Sequence, residues 1–327
     1  MQHPDPPPPT GQIIGELVGA GIHLSDDGLI QHVGGTNNHV FTASHADGRP
    51  LVVKAARHTR TRYGTAVWAA AAMTATGVPT PTVLWHNDRI CVETRCAGQA
   101  LAAEPIHQRP GTARPPGDAE LVGAVDAGRI LRLLHTVPAA GFGQLDPSGR
   151  GRYRSLREWL LSPPPLTGSA ADAPDPAPLL AAVHATLRRH LPVLGDVAPR
   201  LLHGDCGGRH LIADGGRVTG VVDLESVRGG DPLTDVAAWS LTEHPDLTTA
   251  MLGGYFPHRP DPVTVWALAL YRLRIAAALL TFHLRSGYPA AARLRAAQIR
   301  ADLLDIAADR PRLAPLVTAA SALEELP

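Results

Sequence analysis

Residues Leu201 to Trp239 read LLHGDCGGRHLIADGGRVTGVVDLESVRGGDPLTDVAAW, and the rest of the chain is organised around them. Leu201-Leu202 are apolar and lead into His203-Gly204-Asp205. Leu211-Ile212 resume an apolar run, Asp214-Gly215-Gly216 is a turn signal, and Val218 to Val222 is a β-branched strand. That strand ends on Asp223, and Gly229-Gly230-Asp231-Pro232 breaks the chain before an apolar helix. Asp205 therefore precedes one strand of a hairpin and Asp223 follows the other. A hairpin brings its two ends together, so both carboxylates face one small volume.

Two carboxylates in one small volume suit phosphoryl transfer. One accepts the proton of an attacking hydroxyl, and the other holds the magnesium that bridges nucleotide phosphates. A lone loop aspartate more often caps or turns the chain. The combination favours phosphotransfer: a histidine two residues before Asp205, and Asp-Leu-Glu after a buried strand.

The stretch resembles the aminoglycoside phosphotransferases and their relatives among small-molecule kinases. They carry His-Gly-Asp-x4-Asn, a hairpin, Ile-Asp-Phe/Trp-Glu, and Gly-Asp-Pro-x2-Asp-hydrophobic-Ala. This chain has His203-Gly204-Asp205, Val222-Asp223-Leu224-Glu225, and Gly230-Asp231-Pro232-Leu233-Thr234-Asp235-Val236-Ala237. The family's Asn position is His210 here. The resemblance implies a mixed α/β (α+β) chain with a two-lobed, protein-kinase-like fold. A small antiparallel-sheet lobe would bind nucleotide, and a mostly helical lobe would bind substrate. It implies Asp205 as the base or positioning group, Asp223 as the metal ligand, Mg2+ as the ion, and ATP or GTP as phosphate donor. The acceptor is then a small-molecule hydroxyl, on an antibiotic in many relatives. Magnesium prefers oxygen and imidazole suits softer ions. His210 therefore either leaves the metal shell or moves metal preference towards manganese.

Composition is consistent with this reading. The 327 residues carry 30 basic and 30 acidic side chains, which argues against a nucleic-acid partner or a polybasic membrane anchor. Cys91, Cys96 and Cys206 show no metal spacing, and an odd, sparse set fits reduced thiols in a cytoplasm. The opening MQHPDPPPPTG lacks the basic and apolar regions of a signal peptide. Arg272 and Arg274 interrupt the most apolar helix candidate, Trp266 to Leu284, so no segment reads as transmembrane.

The chain divides into a disordered tail over 1–10, a nucleotide-binding lobe over 11–96 and a catalytic, substrate-binding lobe over 97–327. In the first lobe, Gly34-Gly35-Thr36-Asn37 forms a glycine-rich turn between strands that presents backbone N–H groups to phosphates. Lys54, the sole lysine of the sequence, ends a later strand, as in the kinase strand whose lysine meets the α- and β-phosphates. Family helices usually supply that lysine with a glutamate. No acidic residue occurs from Leu51 to Asn87, so Lys54 must find another partner or none until nucleotide arrives. Glu93 to Gly98, including Arg95, resembles the inter-lobe hinge that meets the purine.

Asp231, with Arg272, Arg274 and His283 on the late helices, is the candidate acceptor-binding set, and its basic character fits a neutral or anionic antibiotic of nucleoside type better than a polycationic aminoglycoside. Asp235 and His135 read as structural. Two other readings stay open. One is a metabolic kinase of choline, homoserine or sugar type. The other is a nucleotide-binding pseudokinase, which the missing helix glutamate and His210 favour.

Overall fold

The computed structural model describes residues 8–32, 37–57, 61–102, 114–162, 175–311 and 313. The proline-rich opening up to Pro7 and the turn residues Gly34, Gly35 and Thr36 lie outside the described residues.

The first elements are α1 (Thr10–Gly19), β1 (Ile30–His32), β2 (Asn38–Ser44), β3 (Pro50–Ala56), α2 (Tyr63–Thr74), β4 (Val83–His86) and β5 (Ile90–Thr94). The five strands form one antiparallel sheet in the order β1-β2-β3-β5-β4. Alternation along β3 assigns its two faces. Leu51, Val53 and Ala55 are buried in a core with Ile13 and Leu17 of α1, which leaves Lys54 on the opposite face. Lys54 stands opposite Cys91, and Val52 opposite Glu93, so Glu93 is the same-face diagonal neighbour of Lys54. Helix α2 buries Ala66, Ala69, Ala70 and Met73 in the core of the larger lobe rather than under α1.

The remaining elements are β6 (Gln99–Ala100), α3 (Asp118–Leu134), β7 (Phe142–Leu145), β8 (Gly151–Tyr153), α4 (Leu156–Leu161), α5 (Ala177–His190), β9 (Arg200–Leu202), β10 (Leu211–Asp214), β11 (Arg217–Val221), β12 (Arg228–Gly230), α6 (Leu233–Thr242), α7 (Pro245–Tyr255), α8 (Pro262–Arg285) and α9 (Pro289–Ala307). The expected hairpin is β10–β11, with Leu211 opposite Val221 and Asp214 opposite Arg217. Its turn needs left-handed backbone at Gly215 (φ 55°) and Gly216 (φ 80°). Strand β6 extends it into a three-stranded sheet. A second small sheet runs β8-β7-β12-β9 and holds the segments that flank the hairpin.

Helices α3 and α7 cross at glycines. A Cβ on Gly128 would lie 2.2 Å from the Met251 carbonyl oxygen, and one on Gly254 would lie 1.9 Å from that of Val125. By length and composition α8 is apolar enough to cross a membrane. Here Leu268, Leu270, Tyr271, Leu273 and Ala276 are fully enclosed in the core, and α8 packs between α6 and α9.

Candidate active site

The loop after β9 is shaped by one buried carboxylate. Asp235, in the first turn of α6, accepts the His203 N–H at 2.6 Å through Oδ2 and the Gly204 N–H at 3.0 Å through Oδ1. His135 Nε2 lies 3.2 Å from the same Oδ2. Burial would raise the Asp235 carboxyl, but the His135 bond and charge, His203 and the Gly204 N–H together hold it below the ordinary range. Gly204 takes φ +79°, and a Cβ there would lie 2.1 Å from the Ser226 carbonyl oxygen, so no other residue fits this turn. His203 receives the Asp205 N–H on Nδ1 at 3.3 Å, which leaves the proton on Nε2 to be donated to the Val222 carbonyl at 2.8 Å. That bond ties the end of β11 to the start of the loop. Asp235→Ala is expected to destabilise the fold by about 3 kcal/mol, because a buried and a half-buried N–H group lose their acceptor. Urea unfolding with unchanged stability would exclude this role.

Asp205, His210 and Asp223 converge. They offer one ligand atom each, all within 4.8 Å of one another. His210 Nδ1–H donates to the Asp205 carbonyl at 2.8 Å, so its Nε2 carries the lone pair, which accepts the Arg209 Nε–H at 3.2 Å and lies 3.4 Å from Asp223 Oδ2. Burial, the first cause, pulls the His210 imidazole below its ordinary value, against the opposing pull of Asp205 and Asp223. The His203 and His210 rings stack with centroids 5.5 Å apart. Arg209 Nη2 donates to Asp205 Oδ1 at 2.8 Å. The surrounding protein raises the Asp205 carboxyl, but His210, Arg209 and His203 outweigh it and hold it at about 2. Asp205 is thus ionised at neutral pH, with 44% of its side chain open to the cleft. Asp223 occupies a left-handed conformation (φ 62°), which aspartate tolerates better than most residues. Two carboxylates beside an imidazole lone pair fit a divalent cation: Asp223 suits a hard ion, and His210 a softer one.

Lys54 has the partner that the helix lacks. Its Nζ lies 3.1 Å from Glu93 Oε1 on β5, 3.9 Å from Asp223 Oδ1 and 3.9 Å from Glu225 Oε1. Burial would lower the ammonium, and the three carboxylates reverse this and hold it well above its ordinary value. Glu225 accepts two bonds at 3.0 Å from Asn38 Nδ2, and Asn38 Oδ1 accepts the Tyr63 hydroxyl at 2.8 Å. Burial raises the Glu225 carboxyl despite Lys54. Lys54 thus stands among three acids, and Arg62 is also within reach of Glu225. Lys54→Arg is expected to weaken nucleotide use although charge is kept, because a wide planar fork cannot enter a slot where the lysine is 7% exposed. An undiminished kcat/KM for nucleotide would remove Lys54 from the site.

A family model described as the phosphotransferase enzyme family matches residues 28–263. The chain belongs to the phosphotransferase enzyme family. The hygromycin-B 4-O-kinase of Escherichia coli is 26% identical over 160 residues, 45% of this chain and 41% of that enzyme, so the match spans less than half of the relative's length. The crystal structure of the aminoglycoside phosphotransferase APH(4)-Ia superposes with a TM-score of 0.70 at 19% identity, covering 90% of this chain and 99% of that one. A thermostable mutant of that enzyme in ternary complex with AMP-PNP and hygromycin B gives a TM-score of 0.70 at 20% identity, covering 90% and 99%. A choline/ethanolamine kinase family protein from Mesorhizobium loti gives 0.61 at 19% identity, covering 90% and 92%. These likenesses establish the two-lobed, protein-kinase-like fold.

The other residues singled out in this phosphotransferase are found in several places. Glu93, read as part of the hinge, spends its side chain on Lys54. Arg95 is exposed, and its N–H is taken by the Pro50 carbonyl at 2.9 Å. Asn37 is exposed and lines a cavity with Arg62 and Glu225. Three of the four residues assigned to the acceptor are engaged in the core instead. Asp231 receives the Tyr271 hydroxyl at 2.7 Å and caps α6 through the Leu233 N–H at 2.9 Å. Arg272 gives Nε to Asp302 at 3.0 Å and Nη1 to the Ser240 carbonyl at 2.8 Å. His283 is buried, and that burial, with Arg295, holds its imidazole down at about 4. Arg274 keeps a buried Nε without a hydrogen-bond partner. Sequence reasoning missed Asn38 and Glu225 as pocket residues. Only the Asp-Leu-Glu motif pointed to Glu225, and nothing local marks Asn38.

Proposed function

We propose that the protein is a nucleoside-triphosphate-dependent O-phosphotransferase that phosphorylates a hydroxyl of a small-molecule antibiotic in the cytoplasm. The observation that carries this reading is the convergence of Asp205, Asp223 and Lys54 on one cleft, with Asp205 ionised and open to it. Asp205 accepts a hydrogen bond from the acceptor hydroxyl and orients its oxygen for in-line attack. A carboxyl held at about 2 is a weak base. It therefore positions the hydroxyl first and takes the proton late, which suits a loose, metaphosphate-like transition state. Lys54, held charged by Glu93 and Glu225, meets the donor phosphates. Asp223 and His210 would hold Mg2+ or a softer divalent ion, which neutralises phosphate charge when bound. The gap left by the missing helix glutamate is filled by Glu93, so one of the two features that favoured a pseudokinase loses its force.

The test is incubation of hydroxyl-bearing antibiotics with ATP and with GTP, read by mass for one added phosphoryl group. A product is the expected result; none with either donor, across nucleoside, aminoglycoside and macrolide classes, would overturn the antibiotic reading. His210→Asn is expected to raise the ratio of magnesium- to manganese-supported activity, because a borderline nitrogen donor gives way to a hard oxygen. Calorimetry of each ion with AMP-PNP should move in the same direction. Identical ion preference in both proteins would take His210 out of the metal shell.

A further inference from the structure

Three guanidinium groups, one of them over the loop that carries Asp205, have donors that the fold leaves partly unused. Arg62 precedes α2, Arg228 lies on β12 and Arg274 on α8. Arg62 gives Nη2 to the Leu145 carbonyl, and its Nη1 is buried without a partner. Arg228 has a buried, unpartnered Nε, and its side chain makes no hydrogen bond or ion pair among the described residues. Arg274 lays its guanidinium 5.5 Å from the Trp159 ring centroid, reaches Ser162 only at 3.4 Å, and leaves Nε buried and unpartnered. Buried donors are normally satisfied, and buried charges are normally paired. By contrast, Arg272 meets Asp302 and Arg209 meets Asp205.

The three groups share one field, and Arg228 lies over the loop that carries Asp205. A Cβ on Gly204 would lie 2.9 Å from Arg228 Cγ, so the arginine stem covers the residue just before Asp205. Burial depresses Arg62 and Arg274, and Arg228 is the next cause for both, so it stands between them. Arg62 borders a cavity of about 220 Å³ with Gln144, Ser226 and Glu225. Gln144 is the cross-strand partner of Arg228. Glu225, the acid in reach of Arg62, is already bound by Asn38 and lies near Lys54. Of the three, Arg62 lines the cavity; an oxyanion held among all three would meet unused donors from three cations, and a polycation would be repelled.

We propose that the acceptor is an anion, and that Arg228, flanked by Arg62 and Arg274, binds a carboxylate or phosphate group on it while its hydroxyl faces Asp205. This deepens the kinase reading and rests on it. An aminoglycoside polycation is then excluded as the natural substrate.

The experiment is calorimetric titration of the full chain with inorganic phosphate and with glucuronate, with and without saturating AMP-PNP. Both anions are expected to bind in the presence of AMP-PNP. Binding should weaken roughly ten- to a hundredfold in Arg228→Met and Arg274→Gln, the loss expected for charge-assisted hydrogen bonds, and less in Arg228→Lys. Affinity for AMP-PNP should stay unchanged, which also reports that the variants are folded. Should Arg228→Met fail to fold, Arg274→Gln and Arg228→Lys carry the same comparison. Equal anion affinity in wild type and variants would overturn the proposal. So would an anion that binds only without AMP-PNP while the variants lose AMP-PNP affinity, because the arginines would then serve the donor. A wild type that binds no AMP-PNP would defeat the kinase reading and leave the anion titration without nucleotide still readable.

Discussion

Asp205→Asn is expected to lower kcat for transfer by about 10²–10⁴-fold, the contribution of a positioned base, and to leave nucleotide affinity intact. The substitution keeps the size and most of the polar contacts of the side chain. It removes the negative charge that draws the acceptor proton and the charge that Arg209 and His210 hold in place. Nucleotide affinity should persist because Lys54 and Asp223 stand on other elements, β3 and the segment after β11. Transfer would be measured as product formation and affinity as AMP-PNP binding by calorimetry. Wild-type turnover in the variant would remove Asp205 from the chemistry.

Asp223→Ala should act on the other half of the site. Loss of even an outer partner of a bound metal costs about 10–100-fold in affinity, and loss of a charged oxygen ligand should cost at least as much. Metal-dependent nucleotide binding is therefore expected to fall by that factor or more, and turnover with it. The left-handed backbone at Asp223 complicates alanine, which disfavours φ near 62°. Asp223→Asn separates the two effects, because asparagine tolerates that conformation and loses only the charge. Full metal-nucleotide affinity in both variants would contradict the assignment.

The parts of this site that were legible in the sequence are those where chemistry and chain position coincide. Gly215-Gly216 between β-branched runs specified the hairpin, and the hairpin alone brought Asp205 and Asp223 together. Lys54 stood out as the single lysine of the sequence. The sequence places Glu93 in the hinge, since the expected acid partner of Lys54 belongs to the following helix. What puts it beside Lys54 is sheet order: β5 inserts next to β3, and a two-residue diagonal offset puts both side chains on one face. That is a non-local pairing with no local signature. Charge alone points Arg272 and His283 towards the acceptor, and only the packing of α6, α8 and α9 reveals the partners that claim Arg272. Strands β7, β8, β9 and β12 are too short to display alternation, and β12, with the sequence Arg-Gly-Gly, reads as a loop. It is nevertheless the strand that carries Arg228 over Gly204.

The central proposal is that Asp223, Lys54 and Asp205 activate the terminal phosphate of a nucleotide in one cleft. The measurement that bears on it most directly is release of labelled phosphate from γ-labelled ATP and GTP, without acceptor, for wild type and the two variants. Wild type is expected to hydrolyse at least one nucleotide slowly and only with a divalent ion, Asp223→Ala to lose this activity, and Asp205→Asn to bind nucleotide without turning it over. No turnover by wild type with magnesium or manganese, or hydrolysis by Asp223→Ala at the wild-type rate, would contradict the account.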